Sequence, residues 1–133
     1  MSVLIKNGRI VTAVDDYHAD VFVNGSTVAL IGKDLVIHAG KIGEYLKKRL
    51  LEVVKATPQL FKEWRGMGLV QGLEMTRKAG SLVSQCAKQG LLVGSAFENV
   101  LRFLPPLIIK EPDVDQAMER LKKAIEEELK ATP

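Results

Sequence analysis

The chain has 133 residues, 47% hydrophobic and 26% charged, enough to bury the core of one ordinary domain or two small modules. That mixture excludes a disordered or collagen-like chain. Nineteen Lys and Arg against 16 Asp and Glu give a net charge of +3, too small and too evenly spread to imply a nucleic-acid partner.

No apolar run approaches the ~20 residues that span a bilayer, and the first residues lack the order of a secretory signal. The single cysteine, Cys86, excludes an internal disulfide. The expectation is a cytoplasmic protein with no membrane partner.

From the N-terminus, residues 3–12 are rich in Val and Ile around an Asn7-Gly8 pair, which suits a tight turn because both residues tolerate positive φ. Residues 19–23 alternate and meet a second such pair, Asn24-Gly25, and residues 27–31 follow and stop at Gly32. Val36-Ile37 is expected to start another short strand before Gly40, making a meander of three or four strands.

Beyond Gly40 the period becomes helical, with Ile42, Leu46, Leu50 and Val53 on one face. Thr57-Pro58 ends that helix, since the residue before proline is pushed out of the α region. Residues 68–75 read as a strand. A second helix places Ala79, Leu82, Val83 and Cys86 on one face and stops near Gly90. Residues 91–93 and 100–103 read as short strands, and Pro105-Pro106 halts pairing because neither residue can donate. The last helix carries Pro112 in its first turn and a stripe of Val114, Ala117, Met118, Leu121 and Ile125. The predicted fold is α+β. An N-terminal antiparallel β meander (1–41) joins an αβαββα unit (42–133) with its helices on a mostly antiparallel sheet, the two forming one folded unit.

Two stretches carry family resemblances. The order Leu4-Ile5-Lys6-Asn7-Gly8-Arg9-Ile10-Val11-Thr12, Tyr17-His18-Ala19-Asp20-Val21, Ala29-Leu30-Ile31-Gly32 and Val36-Ile37-His38-Ala39-Gly40-Lys41 resembles the N-terminal strands of the dihydropyrimidinase/hydantoinase amidohydrolases. In that family these strands flank a metal-bearing barrel. Residues 42–133 resemble the C-terminal small domain of acetylornithine/ornithine aminotransferases. Three motifs carry that likeness: Arg65-Gly66-Met67-Gly68-Leu69-Val70-Gln71-Gly72-Leu73-Glu74; Gln89-Gly90-Leu91-Leu92-Val93; and Asn99-Val100-Leu101-Arg102-Phe103-Leu104-Pro105-Pro106. Those enzymes use pyridoxal phosphate.

The aminotransferase resemblance implies one functional residue. Arg102 corresponds to the arginine that binds the substrate carboxylate, a task that suits a guanidinium fork. On the residues alone it reads as an ordinary strand arginine with a solvated or locally paired head. No lysine matches the Schiff-base residue. The amidohydrolase metal ligands have no counterpart either: His18 and His38 lie in separate elements without ligand spacing, and metal binding is not expected. Gly66-x-Gly68 with Gly72 leads into a strand and is no dinucleotide fingerprint.

These resemblances predict a catalytically inert chimeric or engineered domain assembled from fragments of two enzymes, not an enzyme, holding no cofactor. Faces that lost their original partners would drive formation of a homodimer or larger homo-oligomer. The alternatives are a fragment of a pyridoxal-phosphate-dependent acetylornithine/ornithine aminotransferase, or a weak carboxylate-binding module acting through Arg102.

Overall fold

The computed structural model describes residues 1–11, 16–32 and 35–131. The chain divides into two compact units, Met1–His38 and Ala39–Pro133.

The first unit is a three-stranded antiparallel sheet in the order β1-β2-β3, with β1 Ser2–Val11, β2 Asp16–Asn24 and β3 Thr27–Gly32. The second Asn-Gly pair does turn the chain: Asn24 pairs with Thr27, and Gly25 takes φ 62. The first pair does not. β1 runs through Asn7-Gly8, where Asn7 at φ 49 sits in a register shift between Ile5 and Gly8. Ile5 pairs with Val21 and Gly8 with Ala19, while the Asn7 N–H donates to the Asp20 carboxylate at 2.9 Å. Both halves of β1 are thus held by one neighbour, and the positive φ is absorbed as a β-bulge.

The strand expected at Val36-Ile37 is instead the first turn of helix α1, Leu35–Ala56. Val36 and Ile37 are 52% and 69% exposed, whereas Leu35, one heptad before Ile42, is buried. The helical stripe thus extends further back than the apolar pair suggested.

The second unit buries Ile42, Leu46, Leu50 and Val53 of α1, as their spacing predicted. Then follow β4 Phe61–Met67, β5 Val70–Met75, α2 Gly80–Lys88, β6 Gly94–Ala96, β7 Val100–Phe103 and α3 Glu111–Ala131. The four strands form an antiparallel sheet ordered β4-β5-β7-β6. The α+β class stands, with two further departures from the expected sequence of elements in this unit. β4 was not foreseen, because Lys62, Glu63 and Arg65 break its apolar alternation. They are tolerated because β4 is an edge strand with those side chains exposed. Residues 91–93 are not a strand. The Leu91 N–H still bonds the Cys86 carbonyl at 2.9 Å and Gly90 stands at φ 75, so this run completes the end of α2.

All three helices and the inward side of the sheet share one buried cluster, with Leu73, Leu82, Leu101 and Leu121 at 0% exposure. Each such side chain contributes roughly 1.5–3 kcal/mol of burial. One polar residue sits among them. Gln71 is 2% exposed, and its amide donates from Nε2 to the carbonyls of Gly43 and Gly68, both at 2.6 Å. Its Oε1 accepts the Trp64 indole N–H at 2.9 Å. Gln71 thereby ties α1 to the β4–β5 turn, where Gly68 takes φ 55. Gly43 faces that turn so closely that a Cβ on it would lie inside 3.0 Å of three Gly68 backbone atoms. Lower in the unit, the buried Glu128 of α3 accepts the Ser81 hydroxyl at 2.7 Å, with Arg77 Nη2 at 3.6 Å.

Candidate functional site

β7 alternates across the sheet: Leu101 and Phe103 point into the core, so Arg102 projects from the opposite face, where it is exposed. Antiparallel register sets Arg102 opposite Gly72 on β5 and opposite Gly94 on β6, and Gly72 is in turn opposite Arg65 on β4. Paired residues share a face, so one row across the open side reads Arg65, Gly72, Arg102, Gly94.

The two arginines differ in their partners. Arg65 is held by Glu63 at 2.5 Å and by Glu74. The hydrogen bond to Glu63 and the two carboxylate charges push its pKa above the ordinary arginine value. The Arg102 side chain makes no hydrogen bond or ion pair with any described residue. It is a charged fork with its donors unspent, flanked by glycine on both neighbouring strands. Such a group can accept a carboxylate through two parallel N–H bonds. The sequence singled out Arg102. It did not single out Gly72 and Gly94, because strand register is a long-range property that residue spacing does not display.

The other candidates do not converge with it. His18 is exposed on β2 and His38 half-buried in α1, and among the described residues no three His, Cys, Asp or Glu gather as metal ligands. Gly66 and Gly68 shape the β4–β5 turn: a Cβ on Gly66 would meet the Val70 carbonyl oxygen at 2.5 Å. A groove of about 330 Å³ between α1 and α3 has an apolar floor including Val53, Met118 and Ile125, with Arg49, Glu52, Lys122 and Glu126 also lining it. Charges of both signs line it without favouring either.

Cys86 is fully buried in α2, and desolvation, aided by the Glu128 charge, pushes its thiol up to about 11. A pKa raised on folding stabilises the fold below the unfolded value, and that contribution is lost as pH rises through about 11. At pH 8 the native protein is therefore expected to react with a thiol reagent far more slowly than the same chain in denaturant, a difference followed directly by absorbance.

Pyridoxal phosphate, which the aminotransferase resemblance implies, requires a lysine for the Schiff base and an acid beside its ring nitrogen. Of the described lysines only Lys47 is half-buried, and its ammonium lies over the Trp64 ring, 4.7 Å from the centroid. The described residues therefore do not fit the cofactor.

Comparison with known proteins gives a consistent result. The family model "Aminotransferase class-III" matches residues 16–125. An acetylornithine aminotransferase of Synechocystis sp. is 41% identical over 87 residues, covering 62% of this chain and 20% of the relative. An ornithine aminotransferase of Brevibacillus brevis is 33% identical over 107 residues, covering 76% of this chain and 26% of the relative. Among solved structures, N-acetylornithine aminotransferase from Stenotrophomonas maltophilia superposes with a TM-score of 0.70 at 28% identity, covering 75% of this chain and 28% of that one. The chain spans about a fifth to a quarter of the curated relatives it matches.

These findings correct two expectations. The match starts at residue 16 and runs across position 41, where a join between unrelated fragments was expected. The inert chimera gives way to a fragment of a class-III aminotransferase, and "not an enzyme" gives way to an aminotransferase-derived chain. The amidohydrolase resemblance of residues 1–41, and with it an engineered origin, finds no support in these matches.

Proposed function

The chain belongs to the class-III aminotransferase family, and on that premise we propose that it is the small-domain part of a pyridoxal-phosphate-dependent aminotransferase for an ornithine-type amino acid. In this reading Arg102 holds the substrate carboxylate, and the groups that bind the cofactor come from outside this segment. The observation that carries it is the Arg102 guanidinium, unpaired among the described residues, on an open sheet face within the Leu-Arg-Phe motif. Arg102 orients its ligand by two-point bonding, while the buried Leu101 and Phe103 on either side fix its strand. A homo-oligomer belongs to the same proposal, supported by Leu92 and Phe97, 89% and 92% exposed, and sedimentation at high concentration decides it.

Titration of the purified chain with 2-oxoglutarate or ornithine is expected to give saturable binding in roughly the millimolar range, as suits one exposed charged contact. Arg102→Ala should abolish it. Arg102→Lys should keep only a remnant, since an ammonium cannot form the fork. A flat wild-type titration would end the carboxylate role.

A further inference from the structure

We propose that the open face of the four-stranded sheet carries a homodimer seam, the row Met67, Val70, Leu104 and Leu92, which closes on the same row of a second copy of this chain. The inference rests on the homo-oligomer of the reading above, names its surface and leaves the role of Arg102 untouched.

Register places these residues side by side. Met67 pairs with Val70, and they stand two residues from Arg65 and Gly72 in the row already described. Leu104 and Leu92 stand two residues beyond Arg102 and Gly94, which pair with one another, and both line a single cavity of about 220 Å³. A step of two keeps a side chain on the same face, so all four lie on the side of Arg102, away from the core. All four are more than half exposed. A wet sheet face ordinarily carries polar residues, as this one does where Glu63 stands opposite Glu74. The apolar row instead offers roughly 500 Å² of bare hydrocarbon, at the upper end of what soluble monomers expose.

A straight row without charge is its own complement, which a two-fold contact between identical surfaces requires. Two such rows bury roughly 1,000 Å² together, the lower bound of a specific interface, so the dimer is a weak one. Two axes could join them. An axis parallel to the strands reverses the strand order and sets Arg65 of the partner subunit over Gly94. That place is taken: a Cβ on Gly94 would lie 3.9 Å from Arg102 Nε and 4.0 Å from Nη2, so two guanidinium groups would meet there. An axis along the row instead sets each residue against its own copy and carries the two arginine rows to opposite sides of the seam. Like charges stay apart, and Arg102 stays open. The seam therefore takes the second arrangement.

Sedimentation equilibrium of the whole chain should show monomer and dimer with a dissociation constant of roughly 100 µM. Leu92→Glu and Leu92→Lys change an exposed position and should each melt within about 2 °C of wild type. Each alone should weaken the dimer at least about tenfold, because like charges would then face across the axis. An equimolar mixture of the two should recover the dimer, since Glu then faces Lys. Under oxidised glutathione, Met67→Cys chains should link to one another and not to Leu92→Cys chains, and the buried Cys86 keeps the background low. A wild-type chain still monomeric at about ten times that dissociation constant would overturn both the seam and the homo-oligomer. A dimer indifferent to Leu92→Glu, or disulfides joining positions 67 and 92, would overturn the seam alone.

Discussion

Gly43→Ala is expected to destabilise the second unit by about 3 kcal/mol, lowering its melting temperature by roughly 10–20 °C. The added methyl would enter the backbone of Gly68, inside 3.0 Å of its carbonyl oxygen, carbonyl carbon and Cα. Backbone cannot swing aside as a side chain can, and Gly68 is held in place because its carbonyl accepts the Gln71 amide at 2.6 Å. Either α1 moves away from the β4–β5 turn, uncovering its buried stripe, or the turn gives up its hydrogen bonds. Gly40, three residues earlier in the same helix, is the control. A Cβ there meets nothing within 4 Å, so Gly40→Ala should stabilise the protein by about 0.5–1 kcal/mol through helix propensity. Urea denaturation of both variants tests the contrast: changes of the same sign would refute the close-approach account.

Gln71→Leu is expected to cost about 3 kcal/mol although it replaces a polar residue in a buried position with an apolar one of similar size. Transfer arguments alone predict the opposite sign. The difference lies in what the amide satisfies: two carbonyls, of Gly43 and Gly68, and the Trp64 indole N–H. Removing one partner leaves each of these to face its own desolvation, about 1–3 kcal/mol apiece where water cannot replace it. Gln71→Glu separates the terms, since a carboxylate still accepts from Trp64 but cannot donate to the carbonyls. Chemical denaturation followed by Trp64 fluorescence reports both stability and the loss of the indole bond. Because Gln71 and Gly43 act on the same turn, the Gln71→Leu/Gly43→Ala double variant should lose less than the two single losses combined.

Legibility in the sequence followed the range of the interaction. The stripes of α1 and α3, the end of α1 at Thr57-Pro58 and the span of β7 were readable because each depends on residues a few positions apart. The two Asn-Gly pairs show the limit. Asn24-Gly25 turns the chain and Asn7-Gly8 does not, and the difference is made by Ala19, Asp20 and Val21 on the neighbouring strand. β4 was hidden because an edge strand with one wet face carries charges that mimic a loop. At the site, Arg102 was visible through its motif. Its glycine neighbours, and the occupation of Arg65 by Glu74, come from strands brought together only by folding. The chimera failed for a related reason: short β-branched strands with Asn-Gly turns are common to many sheets, and such a pattern cannot separate one enzyme family from another.

The bulge at Asn7 has a further consequence for the chain as a material. β1 is the border of its sheet, ten residues rich in valine and isoleucine, the kind of rim onto which other molecules stack into fibrils. The displaced register divides that rim into two runs of four, Ser2 to Ile5 and Gly8 to Val11, with a cationic Lys6 at the break. An incoming strand finds no uninterrupted ladder to copy, so the protein should stay dispersed at concentrations where a straight rim of the same composition would gel.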